Sequence, residues 1–377
     1  MKDAVKRFDE CFKDYGGYFD YKTIEDSDVM AAFEFFLTGN RTYLTGHQNS
    51  EISLYIDFID NTSVGAAVGK NGDDYFIGVF KGTWLILANL FYRMLSRENI
   101  LTQFGDSVRE VVQTKMQDAQ VHDLLKFDPY DLSKLSDKSI PPQDPTRLAL
   151  GKFLTMLAGN YLIAHEFAHI YHGHIDYRIS LNNKFIQLET DEDDRNADMD
   201  SITSQTLEYD ADCYAELLAI NQMIYWHENH EEVARELKPF YVSLESSFFL
   251  LSFSISCLFM IFSHKNNDLA KLKNYRHPLN GLRQFMMFDM LATCLANLNV
   301  DGISDKIHDI YINVIDEVIK AFEQIAAKEV DVNSIKNGVL PEAQEHLSNI
   351  KMNWSNVRPL IEKYTFGKLA PVNANPE

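Results

Sequence analysis

Residues 164–174, AHEFAHIYHGH, place four histidines and one glutamate within eleven positions of a stretch that otherwise reads as buried apolar helix. An imidazole or carboxylate taken out of water without a partner costs on the order of a few kcal/mol. Whatever this chain folds into must therefore bring compensating groups, or a cation, to that face. The helix itself has clear ends: Asp144-Pro145 forms an N-cap and first-turn pair, and Gly173 can stop it.

His165 and His169 are four apart, so on a helix their rings emerge from one face, one above the other, within reach of a single ion. Glu166 lies between them in sequence. In HExxH sites of this kind the glutamate takes a proton from water acidified by zinc, and the water oxygen attacks a carbonyl, which is amide hydrolysis. A third ligand is available in TSQTLEYDADCYAELLA (203–219), where Glu208 sits in the first turns of a strong helix and Asp212 follows one turn later. Three protein ligands leave a fourth position open for water, as in a catalytic zinc centre. Asp212, on the face of Glu208, is placed to accept the distal N–H of a zinc histidine. The plainer alternative for both acids is an exposed helix start favoured by the helix dipole. His172 and His174 do not fit HExxHxxGxxH, since Gly would stand at 172 and His at 175; they read as helix C-terminal residues suited to the dipole. Tyr171 and Tyr209 lie near the ligands, but among 18 tyrosines neither stands out.

Upstream, residues 3–38 read as helical with a break at Gly16-Gly17. ISLYIDFID, VGAAVGK and DYFIGVFK then read as strands of a small antiparallel sheet, with Asn71-Gly72 as a hairpin turn. VGAAVGK or DYFIGVFK could offer an edge to an extended peptide, with glycines at 65, 69 and 78 permitting close approach, or could simply pack on the motif helix. Thr83 is a cap for the helix WLILANLFYRMLSRE, residues 122–144 read as an irregular connection, and 189–200 as an acidic loop that is solvated, calcium-binding or gating. Helical patterns follow at 203–227, 231–263, 279–297, 304–328 and 341–363.

With 46% apolar residues the chain can bury a large core, and 35 basic against 55 acidic residues (net −20) disfavour nucleic acid and anionic lipid as partners. The N-terminal sequence lacks a secretory-signal pattern, and the four cysteines form no CxxC pair, so the expected location is the cytoplasm. The uncharged run 246–263 is about one bilayer long, but Ser252, Ser254 and Ser256 favour a buried core helix over a membrane span.

HEFAH followed about forty residues later by EYDAD resembles the gluzincin pattern HExxH…ExxAD. The resemblance implies His165, His169 and Glu208 as zinc ligands, Glu166 as general base, and Asp212 as the support of a histidine. IAHEFAHIYHGH, together with YFIGVFKGTWLILANLFYRML, is similar to the Lit-type phage-exclusion peptidases, cytoplasmic bacterial proteases that act on a translation elongation factor. YRHPLNGLR (275–283) resembles the HP…R segment of membrane-embedded heat-shock and prenyl-protein gluzincins. A histidine at 277 near the metal would serve an oxyanion, and Arg283 would hold a carboxylate; alternatively His277 caps the next helix. The expectation is a mostly helical α+β fold with a zincin-like core, a small antiparallel sheet on the HExxH helix and C-terminal helices. It divides as a peptidase domain at 1–299 and an extension at 300–377, acting as a zinc endopeptidase on a protein or peptide substrate. The alternatives are a zinc-holding sensor without hydrolysis, a membrane-associated peptidase, and a helical bundle carrying the motif by chance.

Overall fold

The computed structural model describes residues 2–45, 52–118, 141–182, 186–188, 199–262, 268–297, 303, 306–325 and 333–372. Most of the expected irregular connection (122–140) and of the acidic loop (189–198) lies outside them.

The N-terminal helical stretch is two helices, α1 (Lys2–Phe12) and α2 (Ser27–Thr45), broken where Gly16 and Gly17 adopt positive φ. Four strands follow in the order β1-β3-β2-β4: β1 (Ser53–Ile59), β2 (Ala66–Asn71), β3 (Asp74–Phe80) and the distant β4 (Ile186–Leu188). The Asn71-Gly72 hairpin forms as expected, with Asn71 opposite Asp74 and Gly72 at φ 64°. The sheet as a whole is mixed rather than antiparallel, because β1 runs parallel to β3. The reason lies in β3, which is buried from Tyr75 onward and takes the centre of the sheet. Residues 60–65 cross its end, from Ile59 beside Phe80 to Ala66 beside Val79. A chain that crosses one strand and turns back leaves its two flanking strands antiparallel to each other, so β1 matches β3 in direction. The same order removes the proposed peptide edge: β3 is central, and β4 covers β2 along Ala67–Gly69.

Helix α3 (Lys81–Leu95) starts directly after β3. Thr83 is not its cap; the hydroxyl instead accepts from Gly65 N and donates to Gly65 O, both at 2.7 Å, tying the helix to the loop before β2. A short α4 (Val111–Asp118) precedes the motif helix α5 (Pro145–Tyr171). Asp144 caps α5 by accepting from Thr146 N and Arg147 N, and Gly173, at φ 78°, ends it. A Cβ at 173 would strike the Tyr364 backbone at 2.6 Å, so glycine is required there on both counts.

Next come α6 (His174–Asn182), α7 (Ser201–Glu228), α8 (Leu244–Phe262), α9 (Asn280–Asn297), α10 (Ile307–Ile325) and α11 (Pro341–Ile361). One large core joins α3, α5, α7, α8, α9 and α10, with Phe153, Leu157, Phe253 and Val314 among its buried members. A second cluster seals the sheet onto α5 through Val68, Ile77, Ile163 and Phe167. α8 has the length and composition of a membrane span, yet 72% of its apolar stretch is buried inside the protein. The fold is thus α+β, dominated by helices with one small sheet.

Candidate metal centre

Helices α5 and α7 pack along each other and bring together side chains 43 residues apart in sequence. His165 Nε2 lies 3.2 Å from Glu208 Oε2 and 3.1 Å from His169 Nε2, and His169 Nε2 lies 3.5 Å from Glu208 Oε2. All three residues are at most 1% exposed. Zinc bonds of about 2.0–2.1 Å at tetrahedral angles put neighbouring ligand atoms about 3.3 Å apart, and the observed triangle fits. The donor chemistry fits as well: two imidazole nitrogens and a carboxylate oxygen at such distances repel one another unless protons or a cation lie between them.

The surroundings set the protonation that ligation requires. Burial drives His169 down to about 3, so its ring is neutral at physiological pH. Burial by itself would raise Glu208, but the adjacent His277, His169 and His165 outweigh it and hold the carboxyl well below the usual range. Arg178 of α6 stands 3.7 Å from the other oxygen, Oε1, which leaves Oε2 to face the histidines.

Asp212, one turn beyond Glu208, has Oδ1 2.9 Å from His165 Nδ1. It accepts two 2.8 Å bonds from Arg283 (Nε to Oδ2, Nη2 to Oδ1) and a 3.0 Å bond from the Tyr161 hydroxyl. Burial would raise Asp212; Arg283 and then His165 reverse this and keep it ionised. An ionised carboxylate on Nδ1 selects the His165 tautomer whose Nε2 lone pair points at the triangle. Arg283 thus holds a carboxylate.

His277 is buried, with Nε2 3.4 Å from Glu208 Oε2, so the segment before α9 delivers its imidazole to the same point. Glu166 is 1% exposed on the same turn as His165.

Other members were not evident from the sequence. Tyr161 sits one turn before His165 on the same face, a spacing that would have exposed it. His172 caps the C-terminus of α5, where it was expected, whereas His174 opens α6, where the dipole disfavours positive charge; both are buried. They surround Asp210 of α7, which is hydrogen-bonded to His172 Nδ1 and lies 3.2 Å from His174 Nε2. His172, His174 and Asp210 form a second group with the composition of a metal site. Comparison with family models, with curated proteins and with solved structures found no match.

Proposed function

We propose that the protein is a zinc-dependent peptidase that hydrolyses peptide bonds in a protein substrate. The observation that carries this reading is the convergence of His165 Nε2, His169 Nε2 and Glu208 Oε2, 3.1–3.5 Å apart, with the buried acid Glu166 next to His165 in sequence. When bound there, zinc would acidify water and polarise a carbonyl. The chain's own residues do the rest. Glu166 accepts the proton of the attacking water as the oxygen–carbon bond forms, then delivers it to the amine as the carbon–nitrogen bond breaks. His277, beside Glu208, donates to the oxygen that gains negative charge. Asp212, braced by Arg283 and Tyr161, keeps the His165 ring from turning.

The gluzincin resemblance supports this assignment, and the Lit-type resemblance directs the substrate search to translation factors and to anti-phage defence in a bacterial cytoplasm. The four cysteines are free thiols, consistent with a reducing compartment.

A second reading has one observation in its favour. Every donor is buried, and His277 is close enough to Glu208 to serve as a fourth ligand, which would make a closed, structural centre of a sensor. Expression of the wild type and Glu166→Gln in bacterial cells, with proteome-wide mapping of new peptide termini, separates the two. The peptidase reading expects about one zinc per chain in both proteins and new termini only with the wild type. Identical termini with both proteins end it, and absence of zinc ends both readings.

A further inference from the structure

The group around Asp210 has two candidate roles, a second metal site or a support for the first, and the placement of protons decides between them. His169 Nδ1 lies 2.9 Å from His174 Nδ1. At that distance one nitrogen must donate and the other accept. If His169 Nε2 is a metal ligand, its neutral ring carries the proton on Nδ1 and donates to His174 Nδ1. His174 then has its own proton on Nε2, which faces Asp210 Oδ2 at 3.2 Å, off the axis of an ideal bond. Asp210 accepts in turn from His172 Nδ1. One assignment satisfies every contact.

A metal at the second group reverses this order. Taking the His174 Nε2 lone pair would move that ring's proton to Nδ1, head to head with the Nδ1–H of His169. A positively charged His174 would produce the same clash. With neutral rings, the two metals exclude one another.

We propose that His174, Asp210 and His172 form a positioning chain for His169, and that the protein holds one metal ion, not two. This rests on the reading that His169 binds zinc through Nε2. His174 fixes the His169 tautomer and ring angle, Asp210 fixes His174, and His172 anchors Asp210 from the end of α5. Each zinc histidine then has its own anchor from α7: Asp212 directly for His165, and Asp210 through a second imidazole for His169. Both anchors come from one helix, two residues apart, so the turn that presents Glu208 also sets both rings.

The test uses the full chain titrated with Zn2+ against a competing chelator, with 15N NMR of histidine-labelled protein. The proposal expects one zinc per chain, a proton on Nδ1 of His169, and a proton on Nε2 of His174. His174→Leu should weaken zinc binding on the order of 10–100-fold. His174→Gln, which can accept from His169 and donate to Asp210, should retain most of the affinity. Two zinc ions per chain, Nδ1 protonation of both rings, or unchanged affinity in His174→Leu would each overturn it while leaving the peptidase reading intact. A chain that takes up no zinc overturns both. The NMR assignment on the wild type stands even if the leucine variant fails to fold.

Discussion

Glu208, Asp212 and Glu216 lie on one stripe of α7 at four-residue spacing, and three similar carboxyls meet three different surroundings. Glu208 is ionised beside imidazoles, and Asp212 is ionised by Arg283. Glu216, 2% exposed, has no hydrogen-bond partner for either oxygen among the described residues. Burial, reinforced by the charge on Asp212, raises it well above its ordinary 4.5. It borders a cavity shared with Tyr161, Cys213, Arg283 and Met287. A carboxyl whose folded pKa is raised contributes its full stability below the unfolded value and loses it as pH rises toward the folded value. Each pH unit in that window costs about 1.4 kcal/mol. Glu216→Gln should therefore raise the melting temperature at pH 8 and leave it unchanged near pH 4; an equal shift at both pH values would contradict the assignment. Arg283→Met should cost about 3–5 kcal/mol in urea denaturation, because it strands the buried Asp212 charge, and should weaken zinc binding through His165. Unaltered zinc affinity in that variant would remove Arg283 from the site. The spacing of Glu208 and Asp212 was legible in the sequence, whereas the state of Glu216 was not, since an acid at i+8 looks the same whether it meets arginine or a cavity.

At the scale of elements, α5 carries both the site and the fold. Its sequence announced its start at Asp144-Pro145 and its stop at Gly173, since caps act on adjacent backbone. It did not announce Arg147, which is fully buried near the start of α5. Its guanidinium donates to the carbonyls of Leu95, Arg97, Ile100, Leu101 and Phe104, closing the turn after α3, in which Leu101 adopts a positive φ of 47°. A lysine has three donors on a single nitrogen and cannot span five acceptors. Arg147→Lys should therefore destabilise the protein by about 3 kcal/mol or more, as measured by chemical denaturation. A loss under about 1 kcal/mol would mean that water replaces the fork. Thr83 teaches the converse. Its residue type suited a cap, but the fold used its hydroxyl to fasten Gly65.

Over the whole molecule, the helices beyond residue 300 close onto the same body. α10 shares the large core with α5 and α8, and α11 packs on α7 through Trp354, Val357 and Ile361. The chain after α11 returns to the end of the motif helix, where Phe366 N donates to Tyr171 O at 2.9 Å. Metal binding should therefore register in global stability. A ligand at a thousandfold excess over its Kd adds about 4 kcal/mol when it binds only the folded state. Melting temperature should rise with the logarithm of zinc concentration in the wild type, fall on chelation, and be indifferent to both in His169→Ala. A wild type whose melting temperature ignores zinc would argue against a folded-state site. Because α8 is mostly buried, the full chain should remain in the supernatant after high-speed centrifugation; recovery with membranes would instead favour exposure of residues 244–262 to lipid.

The sequence by itself determined what local rules can carry: the motif helix and its two ends, the i, i+4 pairs His165/His169 and Glu208/Asp212, the Asn71-Gly72 hairpin, and most of the helices that follow, although the one expected from 231 begins only at Leu244, after two short 3-10 turns. These are readable because helix periodicity, capping and turn geometry depend on neighbours a few residues away. Only the tertiary structure decided that β1 lies parallel to β3, that Arg283 and Tyr161 brace Asp212, and that His174 faces His169 rather than solvent. Those contacts join segments from 5 to 71 residues apart whose meeting depends on how whole helices cross. Side-chain type alone does not state which partner a buried polar group will find.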